Sequence, residues 1–445
     1  MTKKSILRLL QASLMCCLAV LFTACDDVFG NEDNPMSAYL SMSDKPVTLK
    51  AGDTYRRKAI SVTTAVVEYT SSKTDVATVD NEGLVTAKAE GTTTITATAT
   101  GYSSQNGKKI YQPASVSYVV TVVPATVSAT SLTLNKTTEV LAKNGDALTI
   151  TATVTPSDAT FTWESSDANV ATVENGVVTP VGAGIATITA KSGDVKATCE
   201  VFVGNEVDLG TSAYEAKNYD ILKGNMGANS LTIPAGFKVA FDGVTATKQI
   251  VCSGDATIYL ADGSTNTVTE STDSKAGIQI GGTGTTLTIN GETAGDGKLT
   301  VQGGNHAAGI GTNENSTGGN IVINGGTVTA EGGSYAAGIG TGAAYYVSNE
   351  CGTITINGGT VTAEGGFYAA GIGTGYCNSA NECGAITIDT GVTSVTATKG
   401  TSSPNSIGVG LNDGGTQTCG TITIGGDATT YATGVTTSPF TYPAP

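Results

Sequence analysis

Residues 322–340 read VINGGTVTAEGGSYAAGIG and residues 355–373 read TINGGTVTAEGGFYAAGIG, two stretches 33 residues apart that differ at two positions. Each opens on a short apolar run, turns at Asn-Gly-Gly, continues through Thr-Val-Thr-Ala, and turns again at Gly-Gly before Ala-Ala-Gly-Ile-Gly. Alternation of Val, Ile and Ala with Thr gives a strand one buried and one wet face. Weaker copies extend in both directions. Isoleucine-centred runs recur at Thr232-Ile233, Tyr259-Leu260, Thr288-Ile289, Val322-Ile323, Thr355-Ile356, Thr387-Ile388 and Thr423-Ile424, at intervals of 27, 29, 34, 33, 32 and 36 residues. A second run follows in most units, as in Leu299-Thr300-Val301 and Val395-Thr396-Ala397. The third patch begins at Ala307, Ala336 and Ala369, and a degenerate copy begins at Ile407.

Two or three short strands in each unit of about 30 residues, with no helical stretch between them, predict a parallel β-helix over residues 205–445. A propeller would need four strands per blade, and a leucine-rich repeat a Leu-dominated consensus. Asn290, Asn324, Asn357 and Asp389 follow the first strand at equivalent positions. Stacked there, their side chains would form an internal ladder that satisfies the backbone of the turn. The Gly-Ile-Gly segments have no following helix, so they are turns rather than a nucleotide-binding motif.

Upstream, residues 37–123 and 124–204 are related to each other. The first holds Val76-Ala77-Thr78-Val79, Gly83-Leu84-Val85-Thr86 and Gly91-Thr92-Thr93-Thr94-Ile95-Thr96-Ala97. The second holds Val170-Ala171-Thr172-Val173, Gly176-Val177-Val178-Thr179 and Gly184-Ile185-Ala186-Thr187-Ile188-Thr189-Ala190, displaced by 93 or 94 residues. That spacing suits a small β-sandwich. With the serine pairs Ser71-Ser72 and Ser165-Ser166, the pattern resembles the group 2 bacterial Ig-like domain of invasin- and intimin-type surface proteins. Trp163, and Tyr69 in the comparable place, are expected to fill sandwich cores. The fold class expected is all-β: two Ig-like β-sandwiches followed by a parallel β-helix, right-handed by its resemblance to known β-helices, with the two modules as a stalk that presents the β-helix.

Residues 1–24 carry a positive head (Lys3, Lys4, Arg8) and a short apolar core, too short to span a membrane. Phe22-Thr23-Ala24-Cys25 resembles the lipobox of bacterial lipoproteins, which implies cleavage before Cys25 and lipid on that residue. Asp26, Asp27, Glu32 and Asp33 make residues 25–36 an acidic linker, resembling a surface-export signal. The expectation is an outer-membrane lipoprotein exposed at the cell surface, with acyl chains as its only membrane attachment.

The formal charge of -15 and sparse basic residues argue against a nucleic-acid partner. One His and three Arg, the last of them Arg57, leave little for acid–base chemistry in the β-helix. β-Helices resembling this one include pectate lyases, polygalacturonases and polysaccharide binders, and uronate chemistry needs clustered acids and a strong base. The acids here are scattered, so a lyase or hydrolase is the alternative to a non-catalytic surface protein binding a polysaccharide or host glycan. A purely structural surface component is the third reading. His306, Tyr335 and Tyr368 precede the Ala-Ala-Gly-Ile-Gly patch in successive units, with Phe367 beside them, and a flank of such rings is the candidate sugar platform. Glu331 with Glu364, and Glu350 with Glu382, form acidic columns that a Ca²⁺ ion would relieve; no other cofactor is expected. Cys351, Cys383 and Cys419 occupy equivalent places, as an internal column of free thiols or a disulfide, with Cys377 as an alternative partner.

Overall fold

The computed structural model describes residues 36–37, 40–61, 66–100, 103–104, 108–109, 111–210, 212–291, 296–429 and 433–443. Cys25, the signal at 1–24 and the acidic residues that follow lie outside the described residues. Among the described residues every regular element is a strand, so the fold is all-β. The chain divides into two compact units, Met1–Val127 and Ser128–Pro445.

In the first unit a four-stranded sheet runs in the order Val47–Lys50, Ala114–Val123, Gly91–Ala99 and Val67–Ser71, with a three-stranded sheet of Thr54–Arg56, Leu84–Ala87 and Ala77–Val79. Within Gly91–Ala99 the side chains of Thr93, Ile95, Ala97 and Ala99 are buried and the alternate Thr94, Thr96 and Thr98 half-buried, as period two requires. Tyr69 is buried, and its hydroxyl accepts the amide of Ala59 at 2.7 Å. The serine pair pins a corner: Ser71 Oγ lies 2.8 Å from Thr93 Oγ1, and Thr94 donates its amide to Ser72 Oγ at 2.9 Å.

The second unit begins with the same plan. Thr138–Ala142, Thr162–Ser165, Gly184–Ser192 and Val195–Asp208 share a sheet, and Thr187 donates its amide to Ser166 Oγ at 2.8 Å. Trp163 packs against the core of Ile150, Ile188, Val201 and Val203. It fills the sandwich, as expected of it.

The boundary expected between residues 204 and 205 falls inside one strand. Residues 195–203 of Val195–Asp208 pair antiparallel with Gly184–Ser192, while Asn205–Asp208 pair parallel with residues 220–223. The sandwich sheet therefore runs on into the β-helix. Gly204 is the pivot because its backbone is approached too closely for a side chain: a Cβ would meet Tyr219 O at 2.5 Å and Ile221 Cγ1 at 2.7 Å. Phe202, Ile221, Ala240 and Tyr259 form a separate buried cluster across this junction. Tyr259 donates its hydroxyl to Glu200 at 2.8 Å, and Lys136 joins Glu139 and Asp262. A β-helix exposes a strand edge and an open core at its end. Here the second Ig-like module covers that end, so it is part of the β-helix body and not a separate stalk segment.

Four columns of strands build the coils. The first stacks Ala256–Leu260, Thr286–Asn290, Asn320–Ile323, Ile354–Ile356, Ile386–Ile388 and Ile422–Ile424; the second stacks Thr265–Thr269, Lys298–Gln302, Thr327–Glu331, Thr360–Glu364 and Ser394–Thr398. The third runs from Tyr214–Glu215, Leu231–Ile233 and Ile250–Cys252 through Ile278–Gln279, Ile310–Gly311, Ile339–Gly340 and Ile372–Gly373 to Ile407–Gly408. A fourth comprises Asn349–Cys351, Asn381–Cys383 and Gln417–Cys419. Inward Ile, Val and Leu from the columns make one continuous core. Each fully buried side chain of this kind contributes about 1.5–3 kcal/mol over leaving it in water. At the far end Asp427–Thr429, Gly434–Val435 and Phe440–Tyr442 pair antiparallel and stop the stack.

Two sequence expectations are corrected. Thr232-Ile233 belongs to the third column, stacked under Val251-Cys252, and not to the isoleucine column of Ile289 and Ile323; its short interval reflects a different wall. The asparagine ladder bonds amide to amide, Asn324 Nδ2 to Asn290 Oδ1 and Asn357 Nδ2 to Asn324 Oδ1, both at 2.8 Å, but Asn357 and Asp389 are exposed. A buried polar ladder is made of threonine. Thr312, Thr341 and Thr374 are buried, and their Oγ1 atoms accept the amides of Gly342, Gly375 and Gly410 at 2.9, 3.1 and 2.9 Å.

Candidate functional site

The turn after the second column carries the aromatic residues. A Cβ on Gly333 would overlap the carbonyl of Gly304, and one on Gly366 that of Gly333, so only glycine lets successive coils nest here. The nesting is held by backbone bonds from Tyr335 N to Asn305 O at 3.1 Å and from Tyr368 N to Ser334 O at 3.0 Å. Side chains at equivalent positions must then lie one above another.

His306, Tyr335 and Tyr368 form a continuous stack, with centroids 4.8 and 4.9 Å apart and planes 28° and 23° from parallel. The structure thus brings the three candidates together, and it corrects the platform geometry. Stacking along the coil axis turns the rings face to face, so both faces of Tyr335 are used by its neighbours. A second set of rings, which the repeat did not reveal, closes the side: Tyr345 and Tyr376 lie 5.5 Å apart and meet the Tyr335 ring at 6.2 and 5.9 Å. They sit in a loop whose length varies between units, so no fixed spacing marks them. Backbone bonds bring them in: the carbonyls of His306 and Tyr335 accept the amides of Ala343 and Tyr376, each at 2.8 Å.

The other rings are half-buried, and the rim of this cluster is its most open part. Tyr346 is 89% exposed and Phe367 47% exposed, the latter edge-on to Tyr368 at 4.7 Å. Burial, then the neighbouring Tyr335 and Glu314, push the Tyr345 hydroxyl up to about 12. Tyr376 is raised by its hydrogen bond to Asp413, donated at 2.8 Å.

The acidic columns form in register, Glu331 beside Glu364 and Glu350 beside Glu382, all exposed. They lie in two different sheets, so the four carboxylates do not converge. Among the described residues no three His, Cys, Asp or Glu form a group that would hold a metal ion. Other acids have local structural partners: Asp255 accepts the amide of Thr286 at 2.8 Å, Asp296 that of Gly263 at 2.5 Å, and Asp242 pairs with Lys223 at 3.3 Å.

Cys252, Cys351, Cys377, Cys383 and Cys419 are free thiols. Cys351, Cys383 and Cys419 stack in register, and hydrogen bonds to both neighbours, with burial, hold the Cys383 thiol well above its ordinary range. Cys377 stands apart, receiving the amide of Ser379 at 3.3 Å.

Comparison with known proteins agrees with this architecture. Residues 39–110 and 122–201 match the family described as bacterial Ig-like domain (group 2), and residues 321–343 and 354–376 match the beta helix repeat. An uncharacterized protein of Clostridium acetobutylicum is 34% identical over 146 residues, 31% of this chain and 14% of that one. Among solved structures, the S-layer protein rSbsC(31-844) is 19% identical, covering 40% of this chain and 29% of that one with a TM-score of 0.18. Drosophila N-cadherin EC1-4 is 14% identical, covering 39% and 50% with a TM-score of 0.21. The chain therefore spans 14% of the curated relative's length and half or less of these two solved chains. It carries two group 2 bacterial Ig-like domains followed by a parallel β-helix.

Proposed function

We propose that this is a non-catalytic adhesion protein of the cell surface, anchored through lipidated Cys25, whose β-helix contacts polysaccharide with its aromatic flank. One observation carries the reading: Tyr346 and Phe367 project from a base of interlocked rings into water. Exposed aromatics on a rigid support lose little conformational freedom on binding, which suits them to recognition. A sugar face laid on such a ring gains apolar contact while its hydroxyls stay solvated or hydrogen-bonded.

The non-catalytic reading draws on the acids. Hydrolysis of a glycosidic bond needs two carboxyls facing one site, whereas Asp242, Asp255 and Asp296 have structural partners. A glycan-array screen of the full chain tests the proposal, followed by Tyr346→Ala combined with Phe367→Ala. Retention on the selected glycan should be lost with the unfolding midpoint unchanged. Undiminished retention would move the contact surface elsewhere.

A purely architectural role is the second reading. It is favoured by the use of ring faces within the stack, and a folded chain retained by no glycan would select it.

A further inference from the structure

We propose that the cleft between the loops following Ile278–Gln279 and Ile310–Gly311 is a subsite for one or two units of an uncharged carbohydrate. This rests on the polysaccharide reading above and names the ligand class. The cleft encloses about 390 Å³ and is lined by Gln279, Asn313, Asn315, Ser316, Thr317 and Val347, among others. That volume lies near the lower end of the roughly 300–1,000 Å³ of small-molecule sites, so it suits a short segment of a glycan.

The lining chemistry selects the ligand. Amides and hydroxyls predominate, and among the described residues no charged side chain lines the cleft. Such groups match the hydroxyls of a neutral sugar, each able to donate and accept. An anionic sugar would find no cation in the lining and would approach a chain of formal charge -15. Glu314, close enough to Tyr345 to raise its hydroxyl pKa, adds local repulsion.

The asparagines are held in place by their oxygens. Asn313 Oδ1 accepts Gln249 Nε2 at 2.5 Å and the amide of Ala276 at 2.8 Å. Asn315 Oδ1 accepts the amides of Tyr345 and Tyr346 at 2.7 and 3.3 Å. Among the described residues neither Nδ2 has a hydrogen-bond partner, so both donors remain for a ligand. Asn315 also holds a φ of 55°, in the left-handed region that Asn tolerates better than most residues. It links the cleft directly to the aromatic flank, since Tyr346 adjoins Val347 of the lining. One glycan chain would place a unit in the cleft and its neighbours against Tyr346.

The test is affinity electrophoresis of the full chain in gels containing a neutral glucan, a neutral mannan or polygalacturonate. Gly282 also lines the cleft, and a Cβ there would meet no atom within 4 Å, so Gly282→Phe adds bulk at the cleft without a local clash. A neutral polymer should retard the wild type, and Gly282→Phe should lose that retardation at an unchanged thermal midpoint. Gln279→Ala, which removes one amide and leaves the loop intact, should weaken it in the same direction. If both variants are retarded like the wild type while Tyr346→Ala with Phe367→Ala is not, the cleft assignment is wrong and the flank stands. Retardation by polygalacturonate alone overturns the uncharged class. Retardation by none of the three polymers overturns the cleft proposal; retention on a glycan array would then still uphold the flank reading.

Discussion

The rings of Tyr335 and Tyr368 lie one coil apart with centroids at 4.9 Å and planes 23° from parallel. Their spacing is close to the roughly 4.8 Å between neighbouring strands, so the pair reports the coil repeat directly. Tyr335 is also flanked by His306 on its other face and by the edges of Tyr345 and Tyr376. It is a structural ring at the centre of the aromatic flank. Tyr335→Ala should lower stability by about 1–3 kcal/mol from its two stacked partners alone, at roughly 0.5–1.5 kcal/mol per aromatic pair, and by more with the lost burial. Tyr346→Ala should change it by less than about 0.5 kcal/mol. Urea unfolding of the two variants separates these roles; equal midpoints would contradict the stack.

Thr374→Val keeps the shape of a buried side chain and removes the oxygen that accepts the amide of Gly410 at 2.9 Å. An unpaired buried N–H costs about 1–3 kcal/mol. Asn357→Leu disturbs an exposed amide pair and should cost less than about 1 kcal/mol. Chemical denaturation should therefore rank Thr374→Val below Asn357→Leu, and the reverse order would restore the asparagines as the internal ladder.

Tyr345 ionises at about 12 in the native chain against an ordinary value near 10, chiefly through burial. Between those values the unfolded chain has released the proton and the native chain has kept it. Its contribution to stability is thus complete below pH 10 and lost as pH rises towards 12. Ultraviolet titration of Tyr345→Phe should lack one late phenolate step, and its stability should fall less steeply over that interval.

Residues 128–445 should fold alone, because the sheet is continuous through Val195–Asp208. Residues 205–445 should not, since Phe202 and the partners of Tyr259 would be lost from the first coils. Size-exclusion chromatography and circular dichroism of both truncations check this; a monomeric, cooperatively folding 205–445 fragment would show that the sandwich is dispensable.

Cys25→Ala should move the protein from the membrane fraction to the soluble one, on the proposal that lipid at this residue is the anchor. Partitioning identical to the wild type would remove the lipoprotein assignment.

The repeat in residues 322–340 and 355–373 was enough to establish a parallel β-helix, because in-register stacking needs the same residue type at the same place in every coil. The two Ig-like modules were legible for a similar reason, through alternating Val-Ala-Thr-Val strands and serine pairs that clip Thr93 and Thr187. Sequence alone also placed His306, Tyr335 and Tyr368 on one flank. Their orientation was decided by the fold: the coil repeat turned the rings onto one another, and the exposed aromatic surface is that of Tyr346 and Phe367 at the rim. Tyr345 and Tyr376 joined them from loops of unequal length, held by bonds to the carbonyls of neighbouring coils that no spacing records. The continuous strand at Gly204 was equally hidden, because a glycine that permits close backbone approach reads the same as one that makes a turn. Local patterns specify which face of a strand is buried; which surfaces meet depends on how separate parts of the chain pack, and that is a property of the folded whole.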